Sequence, residues 1–184
     1  MNILVIGDVV SAAGCEFLRS VLPGFKRLKN IDFCIANGEN SAVGNGITPF
    51  SAQYLFDSGV DFLTTGNHVY RRREFYEMLD ERSDIIRPAN FSARNPGRGF
   101  SVVDMGYVKI GIINLSGMAY MDRCGIRAAL LAFTFRHPCL PSPKGKRRGS
   151  KAELLIISRK ADRIAPRPYW GLTPLNPISF CNVN

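Results

Sequence analysis

The sequence predicts an α/β fold built around a parallel sheet. Three short apolar runs rich in β-branched residues alternate with two segments whose apolar residues recur at helical spacing. Such runs are typical of strands buried on both faces, and the strand–helix–strand order implies parallel strands joined by right-handed crossovers. The chain has 184 residues, of which 46% are hydrophobic, so it can form the core of one ordinary domain.

Strands are expected where apolar residues run without interruption. The expected strands are Ile3–Ile6, Ile31–Ala36, Val60–Thr65, Ile85–Ile86, Gly99–Asp104 and Tyr107–Asn114. The last two should form a hairpin through Met105 and Gly106. Farther along the chain, Glu153–Ile157 is a further strand candidate, whereas the four prolines of Pro166–Pro177 indicate a loop.

Three helices are expected between these strands. They are Cys15–Leu28, Pro49–Ser58 and Arg71–Asp80. Loops rich in small and polar residues, at Gly7–Gly14 and Asn37–Ile47, precede the first two. Pro23 should kink or break the first helix. Thr48 is the expected N-cap of the second, because a proline follows it at the first helical position.

The loops after the first three strands carry side chains that can bind metals or move protons. They contribute Asp8, then Glu39 and Asn40, then Asn67 and His68. Each alone has a plainer explanation as a turn, capping or solvated residue. Because the carboxyl ends of parallel strands meet at one edge of a sheet, the loops should converge. Two carboxylates, two amides and an imidazole would suit Mn²⁺, Fe²⁺ or Mg²⁺.

Six sequence blocks point to a known family. They stand in order, at the family's separations: Ile6–Val10, Ala36–Asn40, Gly44–Thr48, Thr65–His68, Ile86–Asn90 and Ile113–Gly117. Together they closely resemble the YmdB-like branch of the calcineurin-like metallophosphoesterases over residues 1–117. The resemblance implies the N-terminal half of a metallophosphoesterase αββα sandwich. It also implies a dinuclear site with phosphodiesterase activity, including activity on 2′,3′-cyclic nucleotides.

The resemblance also implies a role for each site residue. Asp8 and Asn40 would bind the first metal, Glu39 would bridge both, and Asn67 would bind the second. His68 would be the catalytic proton donor or transition-state stabiliser. Two divalent ions (Fe, Mn or Mg) are the implied cofactors, and a phosphodiester or cyclic nucleotide is the implied substrate.

Three histidine ligands that the family takes from its C-terminal half have no counterpart here. The family places them in Asp-Phe-His and Gly-Thr-His-Thr-His segments, whereas this chain has only His68 and His137. His137 matches neither segment and is interpreted as an ordinary loop residue. Activity should therefore be impaired, unless other groups, such as those of a second subunit in a homo-oligomer, complete the site.

A shifted reading frame would explain the missing segment. Read from the third base of the Tyr169 codon, the codons of Tyr169–Pro174 allow Leu-Gly-Thr-His-Thr. This hypothesis makes the chain an inactive, truncated or frame-shifted homologue. Codons that exclude Thr-His-Thr in that frame would contradict it.

The composition changes near Gly117. Residues 1–117 hold 12 basic and 12 acidic residues, whereas residues 118–184 hold 12 basic and 3 acidic, so the tail accounts for the net charge of +9. We expect a partial metallophosphoesterase-like domain at 1–117 and a basic, proline-rich, irregular and poorly ordered tail at 118–184. RNA binding by Lys144–Lys151 is a weaker alternative, because no aromatic residues interleave that run.

Several further classes are disfavoured. The five scattered cysteines form no CxxC pair, which argues against a disulfide framework or a structural zinc site and favours a reducing cytoplasm. We expect neither a signal peptide nor a membrane span. A dinucleotide site is also weak, because Gly7–Gly14 does not spell Gly-x-Gly-x-x-Gly.

Overall fold

The computed structural model describes residues 1–117 in full and the backbone of residues 151–159 and 178–182. In these ranges the chain forms two sheets. The strands are β1 Asn2–Val10, β2 Phe33–Asn40, β3 Phe62–Thr64, β4 Ile85–Ile86, β5 Phe100–Asp104, β6 Val108–Ser116, β7 Lys151–Arg159 and β8 Ile178–Asn182.

The first sheet has the strand order β4-β3-β2-β1-β8 and contains the predicted parallel core. Strands β1 to β4 pair in parallel, and β8 joins β1 in antiparallel pairing. The second sheet has the order β5-β6-β7. Its β5–β6 pair is the predicted antiparallel hairpin, and β7 lies parallel to β6.

The helices described are α1 Ser11–Lys29, α2 Pro49–Asp57 and α3 Tyr76–Glu81, with a 3₁₀ turn at Arg73–Phe75. Thr48 caps α2 as predicted, since its hydroxyl accepts a hydrogen bond from the Ser51 amide. Pro23 lies inside α1 without ending it. Within the described ranges, no helix combines the length and apolar character needed to cross a bilayer.

Two apolar clusters pack on opposite faces of the first sheet. One cluster joins sheet residues such as Leu4 and Leu63 to the inner faces of α1 and α2, through Leu22 and Leu55. The other joins the opposite sheet face to β6 of the second sheet. The described part is thus a helix–sheet–sheet stack, and the prediction of a second helical layer falls outside the described residues.

One predicted loop is wrong, and a second begins later in the sequence than predicted. β1 continues to Val10 and α1 begins directly at Ser11, so no loop spans Gly7–Gly14. β2 likewise continues to Asn40 instead of ending at Ala36. The physical reason is strand pairing, because Asp8 of β1 lies in register with Asn37 of β2. Hydrogen bonds between the two backbones keep both segments extended, although aspartate and asparagine have low intrinsic strand propensity.

The described part of the tail is strand. The candidate strand at Glu153–Ile157 is confirmed within β7, whereas β8 was not expected. The other tail features, including the basic run at Lys144–Lys151 and His137, lie outside the residues whose side chains are described. The division of the chain at residue 117 stays a prediction.

Candidate metal centre

The candidate site lies at the carboxyl ends of the parallel strands. Asp8 of β1 is in register with Asn37 of β2, and Asn37 is in register with Thr64 of β3. Register shifts on both sides of Asp8 mark irregular pairing, and bulges of this kind re-aim side chains beside functional sites. Asp8 is exposed although its strand is mostly covered.

Three of the predicted residues form a continuous chain of side-chain contacts. The Asn40 side-chain amide donates to Asp8 Oδ2 at 2.7 Å, and Asn40 Oδ1 lies 2.5 Å from His68 Nδ1. An amide oxygen can only accept a hydrogen bond, so Nδ1 of His68 carries the proton in this contact. Asn40 therefore orients both the carboxylate and the imidazole.

Glu39 lies next to these three side chains and is fully buried. Its Oε2 accepts a hydrogen bond from the backbone N–H of His68 at 3.1 Å. A Cβ placed on Gly66 would lie 2.1 Å from the same oxygen, so the carboxylate occupies the space that any other residue at position 66 would fill. Burying a carboxylate is costly unless it is hydrogen-bonded or binds a metal.

Asn67 stands between Gly66 and His68 in a tight turn. The amide of Val69 donates to the carbonyl of Gly66 at 3.2 Å, which closes the turn. The Asn67 side chain is exposed, so the structure places it on the same turn as His68 but on the solvent side. The structure thus links Asp8, Glu39, Asn40 and His68 by hydrogen bonds, and it places Asn67 next to His68 on the turn.

The electrostatic surroundings of His68 are mixed. Partial burial lowers the pKa of His68 below its usual value, and the Arg71 guanidinium lowers it further, while the Asp8 carboxylate raises it. Arg71 follows closely in the chain, and its amide donates to the His68 carbonyl at 3.0 Å. A positive charge beside the imidazole suits a site that receives an anion.

Buried polar residues for which the sequence predicted no role link the second sheet to the loops at this edge. The Asn114 side-chain amide donates to the Thr65 carbonyl at 2.7 Å, directly before Gly66. Asn90 exchanges two hydrogen bonds with the backbone of Ser116, at 2.7 and 3.0 Å. Asn90, Asn114 and Ser116 are all buried. They belong to two of the six blocks that carry the family resemblance, which was the signal available for finding them.

The donor set fits a hard or borderline divalent cation. Asp8, Glu39, Asn40 and His68 lie in one hydrogen-bonded group, and Asn67 lies beside His68 on the turn. Mg²⁺, Mn²⁺ and Fe²⁺ prefer such oxygen-rich donors. Residues 1–117 contain no cluster of three or more His, Cys, Asp or Glu side chains placed to hold a metal. A cation here would therefore depend on asparagine oxygens and on further donors.

Comparison with known proteins agrees with this architecture. The chain is 36% identical over 121 residues to a 2′,3′-cyclic-nucleotide 2′-phosphodiesterase of Bacillus subtilis. The aligned segment covers 66% of this chain and 46% of that protein. The chain spans between 43% and 46% of the length of the curated relatives it matches.

Two solved structures share the fold. A hypothetical protein from Thermus thermophilus matches with a TM-score of 0.70 and 27% identity, over 87% of this chain and 59% of that one. A novel phosphatase from Mycoplasma pneumoniae matches with a TM-score of 0.68 and 22% identity, over 87% of this chain and 56% of that one. The second likeness concerns the fold alone.

A sequence model of the YmdB-like proteins matches residues 4–135, which is most of the chain. The match extends beyond the boundary expected at Gly117. The chain belongs to the YmdB-like family.

Proposed function

We propose that this chain carries the amino-terminal part of a metal-dependent phosphodiesterase site that acts on cyclic nucleotides or related phosphodiesters. The observation that carries the proposal is the hydrogen-bonded chain from Asp8 through Asn40 to His68, set against the buried Glu39 carboxylate. The name of the Bacillus subtilis relative supports the substrate class. Because this chain spans less than half of that protein, its activity stays a proposal.

Four residues would hold the two divalent ions (Fe, Mn or Mg). Asp8 and Asn40 would serve the first ion and Asn67 the second, with Glu39 between them. Bound ions would hold the phosphate, activate a water molecule and stabilise the leaving oxygen. Asp8 and Asn67 are exposed whereas Glu39 is buried, so the substrate would approach from the Asp8 and Asn67 side.

His68 would act on the leaving oxygen through Nε2. Asn40 Oδ1 accepts a hydrogen bond from Nδ1, which fixes the ring orientation and leaves Nε2 as the atom that can take up a proton and, from the imidazolium, deliver it. The backbone N–H of His68 binds Glu39, so the ring and the central carboxylate are held in one arrangement. A proton delivered from a positioned imidazole typically contributes about 10²–10⁴-fold to rate.

We also propose that turnover by this chain is impaired. The family resemblance implies three further histidine ligands, and the sequence contains no segment that spells them. The alternative is a frame-shifted or truncated homologue without activity, which the coding nucleotide sequence tests directly.

The test is Mn²⁺-dependent hydrolysis of bis-p-nitrophenyl phosphate and of a 2′,3′-cyclic nucleotide by the full chain. The proposal predicts slow turnover that a chelator removes and that Asn67→Ala or His68→Ala abolishes. His137→Ala, which removes the other histidine of the chain, is the matched control and should leave turnover unchanged. Turnover that survives His68→Ala, or that is absent with every divalent ion tested, would contradict the proposal.

A reducing cytoplasmic location is proposed as well. Cys15 and Cys34 are buried free thiols, which is the state expected in a reducing compartment.

A further inference from the structure

Arg72 joins the two loops that carry the candidate site. Its Nη2 donates to the Val43 carbonyl at 2.6 Å, and its Nε donates to the Asn45 carbonyl at 3.2 Å. These bonds span 29 and 27 residues of sequence. One side chain therefore ties the loop after β2 to the turn after β3.

The loop has an unusual backbone that presents carbonyls to this guanidinium. Gly44, Asn45 and Gly46 are all left-handed, with φ of 76°, 70° and 88°. The Ala42 amide donates to the Gly46 carbonyl at 3.0 Å and closes the loop. A Cβ on Gly46 would lie 2.9 Å from Cγ of Arg72, so the loop and the arginine side chain are in close contact.

A proposed site residue lies near the start of each of the two connected segments. The loop begins just after Asn40, and Arg72 lies four positions after His68. Asn40 and His68 are themselves in contact at 2.5 Å. The two segments thus touch at two places. Asn40 contacts His68 at one place, and Arg72 binds the loop carbonyls at the other.

We propose that Arg72 is a positioning residue that sets the separation of Asn40 from His68. The proposal rests on the proposed phosphodiesterase function. A planar guanidinium can reach two carbonyls at once from fixed directions, whereas a lysine ammonium on a flexible stem cannot reproduce that fork. The bonds at Nε and Nη2 define the loop position, and misplacement of a reacting group by about 1 Å can cost about 10²-fold in rate.

The experiment compares Arg72→Ala, Arg72→Lys and the control Arg73→Ala in the full chain. Arg73 is exposed in the adjacent 3₁₀ turn, so its variant removes the same charge without touching the loop. The readouts are kcat and KM with Mn²⁺, hydrogen exchange of the Ala42 amide, and the NMR signals of the His68 ring without metal. Each protein also carries His137→Ala, so that His68 is the one histidine that contributes ring signals.

Arg72→Ala is expected to lower kcat about 10–100-fold with KM changed by less than about 3-fold. It should also speed exchange of the Ala42 amide by about 10-fold and shift the His68 signals. Arg72→Lys should fall between Arg72→Ala and the unmodified chain, and Arg73→Ala should match the unmodified chain. If Arg72→Ala does not fold, Arg72→Lys provides the same comparison.

Two results would overturn the inference. One is unchanged Ala42 exchange and unchanged His68 signals in Arg72→Ala. The other is an equal effect of Arg72→Ala and Arg73→Ala, which would assign the effect to charge alone. Absence of turnover in the unmodified chain would contradict the proposed function, while the exchange and NMR measurements would still decide the role of Arg72.

Discussion

The side-chain amide of Asn114 donates a hydrogen bond to the backbone carbonyl of Thr65, 2.7 Å away. Asn114 belongs to β6 of the second sheet, and Thr65 follows β3 of the first. Both residues are buried, and Thr65 directly precedes the turn that carries Asn67 and His68. The position of the candidate site therefore depends on contact between the two sheets as well as on the parallel strands.

Asn114→Ala should destabilise the fold. The substitution leaves the buried Thr65 carbonyl without its donor, and an unsatisfied buried polar group costs about 1–3 kcal/mol. Chemical denaturation of the two proteins measures the difference in free energy of unfolding. Gln53→Ala removes an amide from the exposed face of α2 and should cost less than about 0.5 kcal/mol. Equal losses in both variants would argue against a structural role for the Asn114 bond.

Gly66→Ala should disrupt the candidate site. The added methyl group would collide with the Glu39 carboxylate, so either the carboxylate or the turn must move, at a cost of about 1–3 kcal/mol. Mn²⁺ affinity and thermal stability should both fall. Gly24→Ala is the matched control, because a Cβ there meets nothing within 4 Å and the residue lies in α1.

The Gly24→Ala control should raise stability by about 0.5–1 kcal/mol, since alanine favours the helix more than glycine does. The structural account of Gly66 would be wrong if Gly66→Ala bound Mn²⁺ as tightly as the unmodified chain.

Ser11→Gly should stabilise the protein. Ser11 has a φ of 61°, a left-handed conformation that costs a residue with a Cβ about 1–2 kcal/mol. Glycine removes that cost but loses more backbone entropy on folding, so the expected net gain is about 0.5–1 kcal/mol. Ser20→Gly, at an exposed position inside α1, should instead lower the free energy of unfolding. A loss of stability in Ser11→Gly would show that the serine conformation is not strained.

Cys34 should resist alkylation in the native protein. Burial raises the pKa of its thiol to about 12, with a smaller opposing effect from Lys26. At about pH 8 the thiolate fraction would be about one in 10⁴, far below that of an ordinary cysteine. Peptide mapping after iodoacetamide treatment, with and without denaturant, measures this at each cysteine. Equal labelling of Cys34 in both conditions would contradict the burial described.

Short sequence patterns predicted the helices and strands that depend on residues close together in the chain. Thr48 followed by proline marked the start of α2, and the apolar runs marked the parallel strands. The ends of β1 and β2 were placed too early, because glycine, aspartate and asparagine disfavour strands in isolation. In the structure, Asp8 and Asn37 pair with each other, and this long-range partner extends both strands.

Long-range contacts were not readable from local patterns. The pairing of β8 with β1 joins segments near opposite ends of the described chain, and neither segment signals its partner. The convergence of Asp8, Asn40 and His68 was inferred from topology, whereas the supports from Arg72 and Asn114 depend on side-chain geometry that sequence spacing does not show. The metal-binding roles themselves stay predictions.

Titration of the full chain with Mn²⁺ by calorimetry tests the central claim most directly. The unmodified chain should bind Mn²⁺. Glu39→Gln should weaken binding by at least about 100-fold, because loss even of an outer-shell partner typically costs about 10–100-fold. Glu77→Gln removes an exposed carboxylate in α3 and should bind as the unmodified chain does. Equal binding by all three proteins, or no binding by the unmodified chain, would contradict a metal centre at Glu39.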